Sequence, residues 1–185
     1  MARIGNYIDF GAMNNVDPDE FLALFDDTKM KESEQEVYKS FVNECENGKK
    51  FLLLCDNCGE IVLDKLLIEQ IKKRFPHLEI TVMVRGADIL NDATIEDAKY
   101  CGIDKVARVV SNGEAVAGTI YDMLSEEAKK TFDEADIIFS KGLGYYEAFY
   151  GFGWHVFFAF LCKCQHFMDK FNVPMLTGMF IEENA

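Results

Sequence analysis

The stretch FLLLCDNCGEIVLDKLLIEQ, residues 51–70, changes from apolar to polar residues at Asp56. Five apolar side chains precede Asp56 and Asn57, and Gly59 and Glu60 follow directly. A short apolar run of this kind is typical of a buried strand, and the apolar spacing after Glu60 is helical. The stretch therefore predicts a strand, then a loop that carries acidic and amide oxygens, and then a helix.

The same order of strand, polar loop and helix recurs along the chain. We predict strands at 51–55, 78–84, 105–110, 136–140, 156–162 and 175–181. We predict helices at 33–47, 61–75, 94–101, 118–134, 145–150 and 165–171, with a further helix start at Asp17-Pro18. The run 156–162 is also compatible with a helix, and residues 1–17 are predicted to be a loop.

Alternating strands and helices require crossover connections and favour a parallel sheet. We therefore expect an α/β fold, a three-layer Rossmann-like architecture with a mostly parallel sheet and helices on both faces. The length of 185 residues suits a single domain. Within residues 1–185, we assign 1–48 to a loop plus helical lead-in and 49–185 to the α/β core.

The composition excludes several classes of protein. Hydrophobic residues make up 49% of the chain, which excludes general disorder, and the formal net charge is −13. A surface of that sign repels phosphate backbones, so we expect no nucleic-acid partner. A small phosphorylated ligand remains compatible where a cation or a lysine offsets the repulsion, and acidic side chains are natural ligands of hard divalent metals.

The sequence also predicts the compartment. The N-terminal residues MARIGNYIDF lack the apolar stretch of a signal peptide, and the longest near-apolar run, 151–162, is too short to span a bilayer. We therefore expect a cytoplasmic protein with no membrane partner and with reduced cysteines.

Polar loops follow four of the predicted strands, and the carboxyl ends of parallel strands meet at one edge of a sheet. Asp56, Asn57 and Asp92 offer hard oxygen ligands from two of these loops, which suits Mg or Mn. The alternative is that Asp56 and Asp92 only cap helices. The run Ser140–Gly144 joins Lys141 to glycines at a strand end, which suits phosphate binding, or else an ordinary turn with a solvated lysine.

Other metal-binding residue types give weaker patterns. Cys55, Cys58, Cys162 and Cys164 form a conceivable zinc set, although we favour small buried hydrophobes as their role. The three histidines, His77, His155 and His166, show no metal-ligand spacing and are expected to be structural.

Five segments together resemble a known family. They are GNYIDFG (5–11), DNCGEIVLDKLLIE (56–69), VRGADILNDAT (84–94), SNGEAVAGT (111–119) and ADIIFSKGLGYYE (135–147). In this order they resemble the damage-control phosphatase family, whose members carry an ARMT-like metal-binding domain. The combination of DN-x-GE with ND-x-T is more specific than either motif alone.

The resemblance implies a fold, an activity and a site. Members hydrolyse small phosphate monoesters, such as sugar phosphates and phosphopantetheine derivatives, and so remove harmful metabolites. Matched by motif, the metal (Mn, Mg, Co or Ni) is bound by Asp56, Asn57 and Asp92, while Lys141 binds the substrate phosphate. The predicted catalytic residues are Asp56, Asp92 and Lys141, and the further substrate-binding residues are Asn6, Glu60, Arg85, Ser111, Asn112, Gly113 and Gly142.

Two departures from the family pattern leave alternatives open. Tyr145 stands where the pattern has Asn, and the chain is expected to lack the helical segment that precedes GNxID in stand-alone members. Exposed apolar surface would then favour a homo-oligomer or a separate helical chain. An inactive metal- and phosphate-binding module is the alternative function, and the nucleophile is either water or Asp56. A glutamate methyltransferase that uses S-adenosylmethionine is disfavoured, since no GxGxG loop is present.

Overall fold

Six strands and seven α-helices make up the regular structure in a computed structural model, which describes residues 2–9, 17–25, 30–113, 115–116 and 119–184. The strands are β1 Lys50–Leu54, β2 Glu79–Val84, β3 Arg108–Ser111, β4 Ile137–Lys141, β5 Val156–Leu161 and β6 Gly178–Glu183. The helices are α1 Pro18–Ala23, α2 Glu32–Asn47, α3 Ile61–Arg74, α4 Ile95–Tyr100, α5 Glu126–Asp133, α6 Leu143–Phe149 and α7 Gln165–Phe171. Three 3-10 helices cover Ala2–Tyr7, Ile103–Lys105 and Tyr121–Met123.

The strands form one sheet in the order β3-β2-β1-β4-β5-β6. The pairs from β3 to β5 are parallel, and only β6 runs antiparallel, against β5. The chain winds from β1 outward to β3 and then returns to place β4 on the other side of β1. The strand order therefore reverses between β1 and β4, and ligands of such sheets bind at the carboxyl ends of the strands at this reversal.

Helices cover both faces of the sheet, as the alternation along β1 requires. Phe51 and Leu53 point into a core shared with α2, α3 and α4. Leu52 and Leu54 point into a second core, shared with α5, α6 and α7. The expected three-layer α/β fold with a mostly parallel sheet is confirmed.

Several element boundaries differ from the sequence prediction. The predicted helix 118–134 is wrong over its first part: the chain at Tyr121–Met123 is a 3-10 helix, and α5 begins only after Ser125, whose hydroxyl caps it by accepting from the Ala128 N–H. Gly118 lies outside the described residues. The run 156–162, for which the sequence left a helix open, forms a strand over Val156–Leu161, which pairs with β4 and β6 and is buried along its whole length.

The first and last predicted segments also shift. Residues 1–17 are not all loop, since Ala2–Tyr7 is a 3-10 helix; residues 10–16 lie outside the described part. The last strand begins at Gly178 rather than at Met175. Among the described helices, none is long and apolar enough to cross a bilayer.

A substitution of Phe41, in α2, tests how the first core is packed. Its ring contacts those of Phe51, Phe139, Phe157 and Phe180 at centroid distances between 5.3 and 6.2 Å. We expect Phe41→Ala to lower the free energy of unfolding by about 3–5 kcal/mol in urea titrations, because four rings held by paired strands of one sheet cannot move in to fill the cavity. Tyr100→Ala, at a side chain 94% exposed, should change it by less than about 0.5 kcal/mol. A Phe41 variant as stable as the Tyr100 variant would contradict this packing.

Candidate metal and phosphate site

The predicted metal and phosphate loops meet at the strand-order reversal. Asp56 and Asn57 follow β1 at its carboxyl end, and Lys141 is the last residue of the adjacent β4. Gly142 comes next, at φ +83, and a side chain there would collide with the carboxylate of Asp56. Only glycine therefore lets the two loops approach this closely.

Backbone hydrogen bonds join the loop after β1 to the loop after β2. The Ala93 N–H donates to the Asp56 carbonyl at 2.7 Å, and Asn57 forms an isolated antiparallel bridge with Asp92. The Asn91 side chain also donates to Oδ1 of Asn57 at 2.9 Å. Asp56, Asn57 and Asp92 are thus held at one place, as the sequence predicts for a metal site.

Neither aspartate serves as a helix cap. The N-cap of α3 is Glu60 and that of α4 is Thr94, whose hydroxyl accepts from the Asp97 N–H. The simple capping interpretation of Asp56 and Asp92 is therefore wrong, and their charge needs another explanation.

Arg85, the residue after β2, is buried behind the two aspartates. Its Nε donates to Oδ2 of Asp92 at 2.5 Å, and its guanidinium lies 3.9 Å from Oδ1 of Asp56. Nη1 donates to the hydroxyls of Thr119 and Tyr145, and the guanidinium stacks on the Tyr145 ring at 4.7 Å. Tyr145, the departure from the family pattern, is fully buried and orients Arg85.

Lys141 is not a solvated lysine, because its side chain is fully buried. Its ammonium forms ion pairs with Glu60 and with Oδ1 of Asp64, the latter at 2.7 Å. Burial alone would lower the pKa of Lys141, but Asp64 and Glu60 raise it above its ordinary value, so the group keeps its charge. Burial raises the pKa of Asp64 to about 6, against the opposing effect of Lys141.

Asn6 connects this buried trio to the aspartates. Its side-chain amide donates to Oδ2 of Asp56 at 3.1 Å and to Oε2 of Glu60 at 3.2 Å, and its Oδ1 accepts from the Leu161 N–H at 3.3 Å. The amide of Asn57 donates to the same oxygen of Asp56 at 3.0 Å. Both amides therefore fix the orientation of the Asp56 carboxylate.

The site carries more negative than positive charge. Among the residues that the structure describes, Asp56, Glu60, Asp64 and Asp92 form ion pairs with Lys141 and Arg85 and with no other cation, which leaves two negative charges in excess when all six groups are ionised. Burial raises the pKa of Asp56 to about 7, with Glu60 and Asp92 adding to the increase and Arg85 and Lys163 opposing it. A divalent cation would neutralise this excess, and two carboxylates with an amide oxygen are a suitable donor set for it.

The remaining predicted residues lie at different distances from this cluster. Asn112 joins it indirectly, since its amide donates at 3.3 Å to the Thr119 hydroxyl, which also accepts from Arg85. Ser111 accepts from the Gly113 N–H within the loop after β3. Nothing described links Ser111 or Gly113 to the aspartates, and Glu114 lies outside the described residues.

Sequence reasoning missed two acidic residues that belong to the cluster. Asp64 stands one helical turn after Glu60 on α3, so both carboxylates reach the same lysine; that spacing was the available signal. Asp9, within the quoted GNYIDFG segment, accepts from Asn91 at 3.1 Å and pairs with Lys163 at 2.8 Å.

The cysteines do not assemble into a zinc site. Within the described ranges, no group of three metal-binding side chains includes a cysteine, and all six cysteines are unpaired. Cys45, Cys55 and Cys162 are buried, as expected of small hydrophobes, while Cys164 is exposed.

A doubly wound, mostly parallel sheet with an acidic cluster at its strand-order reversal defines the class of this α/β protein. The chain belongs to a known family of that class: residues 1–176 match the damage-control phosphatase ARMT1-like domain. The recognition made from the five sequence segments is confirmed.

Known relatives resemble this chain over most of its length. A damage-control phosphatase of Archaeoglobus fulgidus is 37% identical over 148 residues, 80% of this chain and 50% of that protein. An uncharacterized protein of Methanocaldococcus jannaschii is 42% identical over 149 residues, 78% of this chain and 47% of that protein. The chain spans about half the length of these relatives.

A solved structure has the same fold. The crystal structure of a DUF89 family protein from Pyrococcus horikoshii superposes with a TM-score of 0.81 at 29% identity, covering 98% of this chain and 63% of that one.

The ion pairs of Lys141 give a prediction for stability. We expect Asp64→Ala to lower the free energy of unfolding by about 1–3 kcal/mol, because the buried ammonium loses one of its two charge-assisted hydrogen bonds and keeps only Glu60 as a partner. Glu127→Ala removes the partner of Arg108 from an exposed pair and should cost less than about 1 kcal/mol. Equal effects of the two substitutions in chemical denaturation would show that the buried pairs do not stabilise the site.

The raised pKa of Asp56 gives a prediction for pH dependence. The unfolded chain ionises this group near 3.8 and the folded chain near 7, so the metal-free fold loses stability as the pH rises between these values. In EDTA, Asp56→Asn should therefore melt at a higher temperature than the wild type at pH 8, and the difference should shrink toward pH 4. Asp88→Asn, at an exposed position of the neighbouring loop, should show no such trend. A difference that stays constant across this range is the contrary result.

Proposed function

We propose that this chain is a metal-dependent phosphomonoesterase that hydrolyses small phosphorylated metabolites. The observation that carries the proposal is the buried charge cluster at the strand-order reversal, where carboxylates outnumber cations by two. Membership of the damage-control phosphatase ARMT1-like family supports it, as do two relatives that are named damage-control phosphatases. We propose sugar phosphates or phosphopantetheine-like compounds as the substrate class.

Asp56, Asn57 and Asp92 are the proposed ligands of a divalent metal: Mn, Mg, Co or Ni. Such a metal supplies Lewis acidity to a phosphate oxygen and lowers the pKa of a bound water. The chain prepares these ligands in advance. Asn6 and Asn57 hold the carboxylate of Asp56 by two N–H donors, and Arg85 holds that of Asp92. Residues that orient ligands in this way contribute to both affinity and activity.

Lys141 is the proposed phosphate-binding cation. An ammonium has three donors, and two of them go to Glu60 and Asp64, so one remains for a phosphate oxygen. Negative charge builds on the phosphoryl oxygens during hydrolysis, so a cation already fixed in place lowers the barrier without reorganising. Glu60 and Asp64 would fix it there.

The role of Gly142 differs from the expected one. Its N–H donates to the carbonyl of Ala159 at 3.2 Å and is not available to phosphate. We propose instead that Gly142 serves by its missing side chain, which keeps the space beside Asp56 open for a metal and a phosphate group.

The chemistry suits a reducing compartment. The six cysteines are unpaired, so nothing in the fold depends on an oxidising environment. We propose a cytoplasmic enzyme of metabolite damage control, which removes the phosphate from compounds that accumulate as by-products.

A second candidate function is a binding module that holds metal and phosphate without turnover. The burial of Lys141 favours a site that is incomplete in this chain alone, because in this structure solvent does not reach the ammonium that would bind phosphate. A separate helical chain or a second copy would then complete the site. Metal binding without hydrolysis, followed by hydrolysis on addition of a partner, would support this module.

Activity on a generic phosphate ester tests the leading proposal. We expect the purified chain to hydrolyse p-nitrophenyl phosphate with Mn²⁺ or Co²⁺ and to lose the activity in excess chelator. Asp92→Ala should reduce kcat/KM at least about a hundredfold, since it removes a proposed ligand and the partner of Arg85. Asp88→Ala is the matched control, because this carboxylate lies four residues away in the same loop and is exposed.

Full activity of the Asp92 variant, or undiminished activity in the chelator, would refute the metal role. Absence of turnover in a chain that binds Mn²⁺ would favour the binding module.

A further inference from the structure

A second group of metal-binding side chains lies near the amino end of β5, at the opposite end of the parallel strands from Asp56 and Asp92. Glu44 belongs to α2, His155 directly precedes β5, and Glu182 lies near the end of the antiparallel β6. One ligand atom from each lies within 4.8 Å of the others. Within the described ranges, these three residues form the single group of three or more His, Cys, Asp or Glu side chains so arranged.

The distances in this group are those of tetrahedral ligands. Nε2 of His155 lies 3.2 Å from Oε1 of Glu44 and 3.0 Å from Oε1 of Glu182. Zinc binds nitrogen and oxygen at about 2.0–2.2 Å, so two ligands of a tetrahedral ion lie about 3.3 Å apart. Each carboxylate oxygen therefore lies at nearly the distance from Nε2 of His155 that a shared tetrahedral ion requires, and all three ligand atoms lie within 4.8 Å of one another.

The group is hard to satisfy by hydrogen bonding alone. A ring nitrogen of histidine carries at most one proton, yet Nε2 faces two carboxylate oxygens. Among the residues that the structure describes, neither carboxylate pairs with a lysine or arginine. The side chains of Glu44 and Glu182 are only 22% and 12% exposed, so water screens their mutual repulsion incompletely.

A supporting contact orients one of the ligands. The hydroxyl of Ser40, one helical turn before Glu44 on α2, donates to Oε1 of Glu182 at 2.7 Å. Metal-binding carboxylates are commonly fixed by hydrogen bonds of this kind. The contact also places α2 and β6 against each other at the point where an ion would join them.

We propose that Glu44, His155 and Glu182 bind one Zn²⁺ ion or a similar borderline divalent cation. The two carboxylates balance its charge, and the imidazole favours zinc, cobalt or nickel over magnesium. Three protein ligands leave a fourth position for water. Because the ligands come from three separate segments, the ion fastens α2 to the β5–β6 edge of the sheet and stabilises the fold there.

This site is separate from the proposed catalytic one. His155 precedes the amino end of β5, whereas Asp56 and Asp92 lie at the carboxyl ends of β1 and β2. The donor sets also differ, because the catalytic group offers only oxygen. The two sites should therefore differ in metal preference and respond to different substitutions.

Metal titration of the full chain, without a polyhistidine tag, tests the proposal. Zn²⁺ and Co²⁺ are titrated by calorimetry into the wild type and into an Asp56→Asn/Asp92→Asn variant that lacks the proposed catalytic ligands. We expect that variant to keep one Zn²⁺ equivalent, to melt at least about 3 °C higher with zinc, and to give the strong visible absorption of tetrahedral Co²⁺. Adding His155→Gln, or Glu182→Gln, should weaken this binding at least about tenfold and abolish the cobalt spectrum.

Two control substitutions separate the site from general binding to an acidic surface. Glu46→Gln removes an exposed carboxylate of the same helix, and His77→Gln removes an exposed imidazole; both should leave the zinc isotherm unchanged. The titrations of His155→Gln and Glu182→Gln are repeated in the otherwise wild-type chain, so that the result does not depend on correct folding of the Asp56→Asn/Asp92→Asn variant. Zinc binding that survives His155→Gln and Glu182→Gln, or that disappears with Asp56 and Asp92, would overturn the proposal.

Discussion

The structure of the site depends on an imbalance of buried charge. Four carboxylates converge where β1 and β4 end side by side, and among the described residues only Lys141 and Arg85 form ion pairs with them. Ionised groups are costly to remove from water, so a fold retains such an excess only where something neutralises it. Protonation is one route, visible in the raised pKa of Asp56, and a bound cation is the other. In the proposed metal site, cation binding takes the place of Asp56 protonation as the neutralising step.

The topology explains why these charges meet although they are distant in sequence. The return of the chain to place β4 beside β1 brings Lys141 next to Asp56, and the hydrogen bond from Ala93 to Asp56 draws in the second loop. Each cation holds one pair of carboxylates: Lys141 holds Glu60 and Asp64, and Arg85 holds the two aspartates. Asn6, from the N-terminal 3-10 helix, joins the halves. The cluster therefore joins segments as distant in sequence as Asn6 and Lys141.

The local pattern of apolar and polar residues was sufficient to predict most of the strands and helices that carry the site. The apolar run before Asp56 and the helical spacing after it predicted a strand and helix correctly, and the alternation of elements predicted the parallel sheet. The burial and the charged partners of individual side chains were harder to predict. In the sequence, Lys141 resembles a lysine of a solvated loop. It is buried because it pairs with Glu60 and Asp64, which are distant from it in the sequence. Asp64 looks like an ordinary polar position on an amphipathic helix. The start of the predicted helix 118–134 was wrong because Thr119 bonds to Arg85 instead of joining a helix, a tertiary contact that helical spacing does not report.

Crystals of the chain soaked in MnCl₂, with diffraction data collected at the manganese absorption edge, would test the central claim most directly. The account predicts an anomalous peak within bonding distance of side-chain oxygens of Asp56, Asn57 and Asp92, with Lys141 still paired to Glu60 and Asp64. A map without a peak at those three residues, in crystals where manganese is bound elsewhere on the chain, would contradict it.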